Sequence, residues 1–184
     1  MRIVVAGLVL VAAAAAAFLY VEEREPAWYA KLRYPLEYEH IVRGHAENYD
    51  LDAALLAAVI YRESKFDPDA RSSQGAIGLM QLLPSTAEGI ALNTGGTRFR
   101  VADLYDPEIN VRYGSFYLRR LMRKYDDERL ALAAYNAGQT NVDAWIEETG
   151  GEIAFAETRE YVDDVLDARD VYARVYKDEL RVED

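Results

Sequence analysis

Apolar residues recur at helical spacing along most of this chain, and no stretch shows the strict apolar-polar alternation of a half-buried strand. After residue 35, the spacing predicts seven helices separated by polar or glycine-bearing segments. Their expected ranges are 36–48, 53–63, 84–92, 107–125, 128–137, 142–147 and 158–180. We therefore expect an all-α, mainly helical globular domain.

Capping residues support several of these boundaries. Asp52 and Asp106 each stand just before a predicted helix, where a carboxylate can accept hydrogen bonds from unpaired backbone N–H groups. Pro107 suits the first turn of the helix that follows Asp106. The next helix is expected to begin after Asp126 or Asp127, and the sequence leaves both capping residues open.

The N-terminus carries 19 residues without a charge, Ile3 to Val21, preceded by Arg2 and followed by Glu22 and Glu23. This length suits a single membrane-spanning helix, which needs about 20 residues, and it exceeds the usual apolar core of a cleaved signal. We expect residues 1–21 to be an uncleaved membrane anchor, with the rest of the chain outside the cytoplasm. The alternative is a cleaved signal peptide, because residues 12–17 are alanines that a signal peptidase accepts.

Residues 22–35 are predicted to form a tether between this anchor and the folded domain. The segment contains two prolines, together with Trp28, Tyr29 and Tyr34, which suit a membrane interface. Residues 36–184 then make one domain, because a chain of 184 residues with 51% hydrophobic content supports a single modest core.

The charge distribution argues against a nucleic-acid partner. The formal net charge is -11, and residues 147–184 alone carry thirteen acidic and five basic side chains. Binding to phosphates needs a clustered positive surface. The basic group formed by Arg119, Arg120, Arg123 and Lys124 is short and lies on a predicted helix, so it is interpreted as a solvated face.

The sequence predicts neither a metal nor an organic cofactor. Cysteine is absent, which excludes disulfides, thiolate metal sites, a cysteine nucleophile and a lipid anchor on an N-terminal cysteine. His40 and His45 are five residues apart, which places them about 140° apart around a helix and prevents them from facing one metal ion together.

Glu63 is the strongest candidate for acid-base chemistry. It follows an apolar helical run, Leu51 to Tyr61, and a carboxyl group at the edge of such a helix loses solvation in its charged form. That loss raises the pKa and makes the group a proton donor near neutral pH.

Three further segments place polar residues and glycines between apolar helices: Gln74 to Gln81, Ala134 to Gly138, and Glu157 to Val162. With Glu63-Ser64 they reproduce, in order, the Glu-Ser, Gly-Leu-Met-Gln, Ala-Tyr-Asn-Ala-Gly and Glu-Thr-x-x-Tyr-Val motifs. From about Leu36 to Tyr176 the chain thus resembles the catalytic domain of the lytic transglycosylases, the goose-type-lysozyme-like family that cleaves peptidoglycan. The departures from the family pattern are mild and concern Ser73 and Leu83.

The resemblance implies a lysozyme-like fold in which Glu63 is the sole catalytic acid and base. As an acid it would protonate the oxygen of the β-1,4 bond between N-acetylmuramic acid and N-acetylglucosamine, with assistance from the 2-acetamido group. The resulting carboxylate would deprotonate the C6 hydroxyl of the same muramoyl residue, which closes a 1,6-anhydro ring.

The same resemblance implies a set of substrate-binding residues. Tyr135 matches a tyrosine whose hydroxyl lies near the acid or the acetamido group, and Gln81 offers both a donor and an acceptor to an N-acetyl group. Ser72 matches a sugar-contacting position, although loop capping is an equal alternative. The complete set implied is Ser72, Met80, Gln81, Tyr135, Asn136 and Glu157.

Two alternative functions stay open. A lysozyme-type hydrolase would let water attack the intermediate, and Asp67 and Asp69 are nearby acids that merit consideration. A wall-binding protein would keep the fold without turnover. The expected partners are peptidoglycan glycan strands, the membrane through the N-terminal helix and cell-wall synthesis or division proteins, all in the bacterial cell envelope.

Overall fold

The computed structural model describes residues 18, 20, 25–96 and 98–181. The chain divides into two compact units, residues 1–35 and residues 36–184. In the first unit, helix α1 covers Ala27–Arg33, within the segment predicted to be a tether. The predicted anchor, residues 1–21, lies outside the described residues except for Phe18 and Tyr20. None of the helices in the described part of the chain is long and apolar enough to cross a membrane.

The second unit is built from helices, as the sequence predicted, and its described residues form no strand beyond two isolated bridges. The helices are α2 (Glu39–Tyr49), α3 (Ala53–Ser64), α4 (Pro84–Thr94), a 3₁₀ helix (Val101–Tyr105), α5 (Pro107–Tyr125), α6 (Glu128–Ala137), α7 (Gln139–Thr149) and α8 (Ala156–Val175). The 3₁₀ helix was not predicted, because one short turn leaves no periodic signal. Helix α7 is longer at both ends than predicted, and α8 ends earlier.

The predicted caps are confirmed. The Asp52 carboxylate accepts a hydrogen bond from the Leu55 N–H at 2.9 Å at the start of α3, and the Asp106 side chain caps α5 ahead of Pro107. Of the two candidates before α6, Asp127 is the cap. Asp126 instead ends α5 in the left-handed conformation, with φ 48°.

Helix α3 lies at the centre of the fold. Each residue from Ala53 to Ile60 is buried, which explains why this helix has no polar face in the sequence. It packs against α8 and α2. A helix enclosed by the core is a rigid support, and Glu63 is its penultimate residue. The core therefore determines where this carboxyl group lies.

The loop between α3 and α4 is held by Asn110, a fully buried residue of α5. Its amide nitrogen donates to the carbonyl oxygens of Ile77 and Leu104 at 2.9 and 2.8 Å, and its amide oxygen accepts from the Met80 N–H at 2.8 Å. Gly78 passes so close to Asn110 and Leu104 that a side chain there would collide with both. One buried amide thus adds three hydrogen bonds to the backbone pairing within this loop and ties the loop to α5.

Candidate active site

Glu63 combines burial with two groups that favour its charged form. The net pKa of Glu63 is about 7, raised from 4.5, because the largest effect is the loss of water around the carboxylate on burial. The hydroxyl of Tyr161 donates a 2.7 Å hydrogen bond to Glu63 Oε1, and the positive charge of Arg62 lies nearby, so both lower this pKa. The balance leaves Glu63 able to donate and to accept a proton near neutral pH.

A cavity of about 170 Å³ opens beside Glu63. It is lined by Glu63, Ser72, Gln74, Ala76, Gln81, Leu83, Tyr135 and Asn136. Four of the residues implied by the family resemblance therefore meet at the predicted acid. A larger cavity of about 390 Å³ lies beside Phe99 and Tyr113, but its lining does not include Glu63.

The loop that carries Gln81 fixes the orientation of the Gln81 side-chain amide. Gln81 adopts the left-handed backbone conformation with φ 47°, and its Nε2 donates to the carbonyl oxygens of Ala70 and Gly78 at 3.1 and 2.9 Å. Because these bonds use the amide protons, the amide oxygen is the group left to accept a hydrogen bond from a ligand.

Ser72 caps the same loop. Its hydroxyl oxygen accepts a hydrogen bond from the Ala76 N–H at 3.0 Å, and the backbone of Ser72 pairs with the carbonyl of Ala76. The hydroxyl proton takes no part in this bond and can be donated into the cavity that Ser72 lines. Loop capping and ligand contact are therefore compatible at this residue.

Tyr135 joins α6 to the loop. Its hydroxyl donates a 2.8 Å hydrogen bond to the carbonyl oxygen of Met80. Burial of the hydroxyl, with the nearby charge of Glu63 adding to it, raises the pKa of Tyr135 well above its usual value. Tyr135 therefore stays protonated at neutral pH and cannot compete with Glu63 as a base.

The other three implied residues have different surroundings. The Met80 side chain is fully buried and packs against Gly114, so Met80 faces the core while its carbonyl oxygen meets Tyr135. Asn136 lines the cavity, and its amide oxygen accepts a 2.9 Å hydrogen bond from the hydroxyl of Thr158. Glu157 is exposed at the start of α8 and is absent from the cavity lining.

One residue that contacts Glu63, Tyr161, was not singled out from the sequence. Tyr161 belongs to the Glu-Thr-x-x-Tyr-Val motif, but no role was predicted for it. Its hydroxyl within an intact motif was the available signal. Ser64, the residue after Glu63, donates from its hydroxyl to the carbonyl oxygens of Leu79 and Ile60 at 2.8 and 3.2 Å.

The cavity contains one carboxyl group. Asp67 and Asp69 are exposed and absent from its lining, and Asp67 Oδ1 instead accepts from the Asp69 N–H at 2.9 Å. No group of three or more His, Cys, Asp or Glu side chains in the described part of the chain is arranged to hold a metal ion. The residues that line the cavity offer proton transfer by Glu63 and hydrogen bonding by its neighbours.

Comparison with known proteins identifies the family of this chain. The chain is 36% identical over 160 residues to a putative soluble lytic murein transglycosylase of Haemophilus influenzae, covering 81% of this chain and 27% of that protein. It is 43% identical over 108 residues to membrane-bound lytic murein transglycosylase F of Yersinia pestis, covering 55% of this chain and 20% of that protein.

The fold agrees with these similarities. The structure of an inactive mutant of the lytic transglycosylase Slt from Pseudomonas aeruginosa superposes with a TM-score of 0.74 at 33% identity, covering 80% of this chain and 25% of that chain. This chain thus spans between a fifth and about a quarter of the length of the proteins that it matches here. Residues 40–156 match the family described as the transglycosylase SLT domain. The chain therefore belongs to the transglycosylase SLT domain family.

Proposed function

We propose that this chain is a peptidoglycan lytic transglycosylase. In this proposal it cleaves the β-1,4 bond between N-acetylmuramic acid and N-acetylglucosamine and leaves a 1,6-anhydromuramoyl end. Residues 36–184 are the catalytic domain. The observation that carries the proposal is a single part-buried carboxyl group, Glu63, with a pKa raised to about 7 in a cavity whose lining contains no second carboxyl group.

The first step uses the neutral form of Glu63. Glu63 donates its proton to the glycosidic oxygen, the bond from that oxygen to C1 of the muramoyl residue breaks, and the 2-acetamido oxygen bonds to C1. A raised pKa supports this role, because a carboxyl group with its ordinary pKa of 4.5 would have lost its proton at neutral pH.

The second step uses the carboxylate that the first step leaves. Glu63 removes the proton from the C6 hydroxyl of the same muramoyl residue, and the C6 oxygen attacks C1 as the acetamido oxygen departs. The proton returns to Glu63, so the cycle neither consumes water nor changes the net protonation of the enzyme. Tyr161 supports this step, because its hydrogen bond stabilises the charged form of Glu63.

The neighbouring polar groups suit an N-acetyl sugar. The amide oxygen of Gln81 would accept from the acetamido N–H, and the Ser72 hydroxyl would donate to a sugar oxygen. Tyr135 keeps the loop of Met80 in place through its hydrogen bond and presents a neutral phenol beside Glu63. Asn136 would contact the glycan at the cavity edge. In this scheme Met80 contributes only the carbonyl oxygen that accepts the hydrogen bond from Tyr135. Glu157, which does not line the cavity, contacts the glycan only at the periphery.

We place the protein in the bacterial cell envelope, where peptidoglycan lies, with residues 1–21 as a membrane anchor and 22–35 as the connection. The apolar run of the sequence supports the anchor. N-terminal sequencing of the protein from native membranes tests it, because a start after residue 21 would show a cleaved signal. Binding to cell-wall synthesis or division proteins stays a prediction from the sequence.

Product analysis tests the proposed reaction. Purified protein is incubated with peptidoglycan sacculi, and the released muropeptides are analysed by mass spectrometry. Each anhydromuramoyl product is lighter by one water than its reducing counterpart, so the two reactions are distinguished directly. Reducing ends would indicate a lysozyme-type hydrolase, and binding without any release would indicate a non-catalytic wall-binding protein.

A further inference from the structure

Arg62 connects α3 to α8 immediately beside Glu63. Its Nε donates a 2.9 Å hydrogen bond to Asp164 Oδ2, and its guanidinium carbon lies 5.6 Å from the centre of the Tyr161 ring, over the ring. Tyr161 and Asp164 are three residues apart on α8 and therefore lie on one side of that helix. One side chain thus contacts the tyrosine that binds Glu63 and a carboxylate one turn further along.

These contacts depend on the shape of the guanidinium group. A planar guanidinium can stack on an aromatic ring while its edge donates to a carboxylate. An ammonium group keeps the positive charge but has neither the plane nor the Nε donor. A change of Arg62 to lysine therefore separates the shape of this side chain from its charge.

The Tyr161 ring carries the hydroxyl that reaches Glu63, so its orientation determines that hydrogen bond. The torsion that turns a tyrosine ring has only broad preferences of its own, so the groups packed on the buried Tyr161 ring decide its orientation. In this structure Arg62 covers one face, and the ion pair with Asp164 holds Arg62 in place.

We propose that Arg62 is a positioning residue: anchored by Asp164, its guanidinium holds the Tyr161 ring so that the tyrosine hydroxyl stays on Glu63. The inference rests on the proposed function, because it assigns Arg62 a part in the reaction of Glu63. The side chains of Arg62 and Asp164 are 38% and 49% exposed. Ion pairs this exposed contribute little to global stability, so a loss of turnover can be separated from a loss of folding.

A double-mutant cycle tests the inference on soluble glycan strands. We expect Arg62→Lys to lower kcat about three- to tenfold with KM unchanged. Misplacing the Tyr161 hydroxyl, which acts on Glu63, reduces stabilisation of the transition state and leaves substrate binding unaffected. In a Tyr161→Phe background the same change should lower kcat no further. Asp164→Asn should reproduce the fall, since it releases the anchor. Equal effects of Arg62→Lys in both backgrounds, or no effect in either, would overturn the proposal.

A second readout does not need activity. Titration of the Glu63 carboxyl carbon by ¹³C NMR, assigned by its loss in Glu63→Gln, reports the hydrogen bond from Tyr161. The charged or titratable groups that act on Glu63 are Arg62, Tyr161 and Tyr135. Because lysine keeps the charge, Arg62→Lys should raise the pKa of Glu63 only when Tyr161 is present. If the wild type released no anhydromuropeptides, this titration would still decide the role of Arg62.

Arg129 provides a matched control. Its guanidinium pairs with Asp163 at 2.7 Å and joins α6 to α8, with side chains 49% and 60% exposed. The pair is one residue from Asp164, yet no contact of Arg129 with Glu63 or Tyr161 is found in the described part of the chain. Arg129→Lys should leave kcat and the Glu63 titration unchanged. An equal fall in kcat for Arg129→Lys would show general loosening of α8 and overturn the specific role of Arg62.

Discussion

The hydroxyl of Tyr161 donates a 2.7 Å hydrogen bond to Glu63 Oε1, although 98 residues separate the two in the chain. The contact exists because α3 and α8 pack against each other in the core. Burial alone would leave the charged form of Glu63 poorly solvated, and the tyrosine hydroxyl supplies part of the missing solvation. The protonation of the candidate acid is therefore set by the packing of two helices.

Removing the Tyr161 hydroxyl should change the pKa of Glu63. Its hydrogen bond lowers this pKa, so Tyr161→Phe should raise the pKa above its present value of about 7. The alkaline limb of the pH profile of kcat/KM should move to higher pH, and kcat should fall about tenfold, as for loss of a group that assists acid-base catalysis. The pH profile and ¹³C titration of Glu63 measure both effects.

Tyr125→Phe is the control for this substitution. The Tyr125 hydroxyl donates to Asp143 at 2.9 Å, between α5 and α7, and does not line the cavity. Its loss should leave the alkaline limb in place. A Tyr161→Phe enzyme with an unshifted limb would contradict the role given to this hydrogen bond.

Glu63→Gln should abolish wall degradation while leaving wall binding intact. Glutamine keeps the shape of the side chain but can neither donate nor accept the proton, so we expect release of muropeptides to fall about 10³-fold or more. Sedimentation with sacculi measures the retained binding. Glu160→Gln, an exposed neighbour of Tyr161 on α8, should behave as the wild type. Full lytic activity in Glu63→Gln would refute the assignment of the acid.

The same variant should reveal how Glu63 couples stability to pH. In the unfolded chain the carboxyl loses its proton near its ordinary pKa of 4.5, whereas in the folded chain it keeps the proton until about 7. Stability from the neutral folded form is therefore complete below pH 4.5 and is lost as the pH rises to about 7. Between pH 4 and pH 8 the unfolding free energy of the wild type should therefore fall by about 3 kcal/mol relative to that of Glu63→Gln.

Denaturant unfolding of both proteins at pH 4 and pH 8 measures this difference. The comparison with Glu63→Gln cancels the titration of the other carboxyl groups, because both proteins share them. An unfolding free-energy difference that is the same at both pH values would show that burial does not perturb Glu63.

Gly78 and Gly75 make a matched pair within the loop. Both have positive φ, 76° and 85°, so alanine at either position costs about 1–2 kcal/mol of backbone strain. At Gly78 the added methyl group would also collide with Asn110 and Leu104, whereas at Gly75 nothing lies within 4 Å. We expect Gly78→Ala to lose about 2 kcal/mol more than Gly75→Ala in denaturant unfolding, from overpacking. Equal losses would mean that Asn110 can move aside.

Local features of the chain account for the parts that could be predicted. Helix positions follow from the spacing of apolar residues, and Asp52 and Asp106 cap their helices because capping involves only the next three residues. The short helix Ala27–Arg33 and the 3₁₀ helix escaped prediction because each is too short for a periodic pattern. Nor did spacing distinguish Asp126 from Asp127, since one ends a helix and the other begins one.

The contribution of Asn110 shows why other features escaped prediction. Its amide bonds two backbone groups of a distant loop and one of the preceding 3₁₀ helix, yet in the sequence it is a polar residue on a predicted helix. Met80 illustrates the converse, because its motif implied a contact with substrate while packing turns its side chain toward Gly114. Which face of a helix meets which loop depends on the whole core, and no local pattern contains that information.

By itself, the sequence determined that the chain is helical, where most helices begin, and that Glu63 stands at the end of an apolar one. These are consequences of interactions between residues a few positions apart. The apolar run also predicted a raised pKa for Glu63, which burial brings to about 7 in the folded chain. Only the tertiary structure decided that Tyr161 binds Glu63 and that Arg62 covers Tyr161. Desolvation and hydrogen bonding depend on distances through space, and those distances exist only once α3, α8 and the loop have packed together.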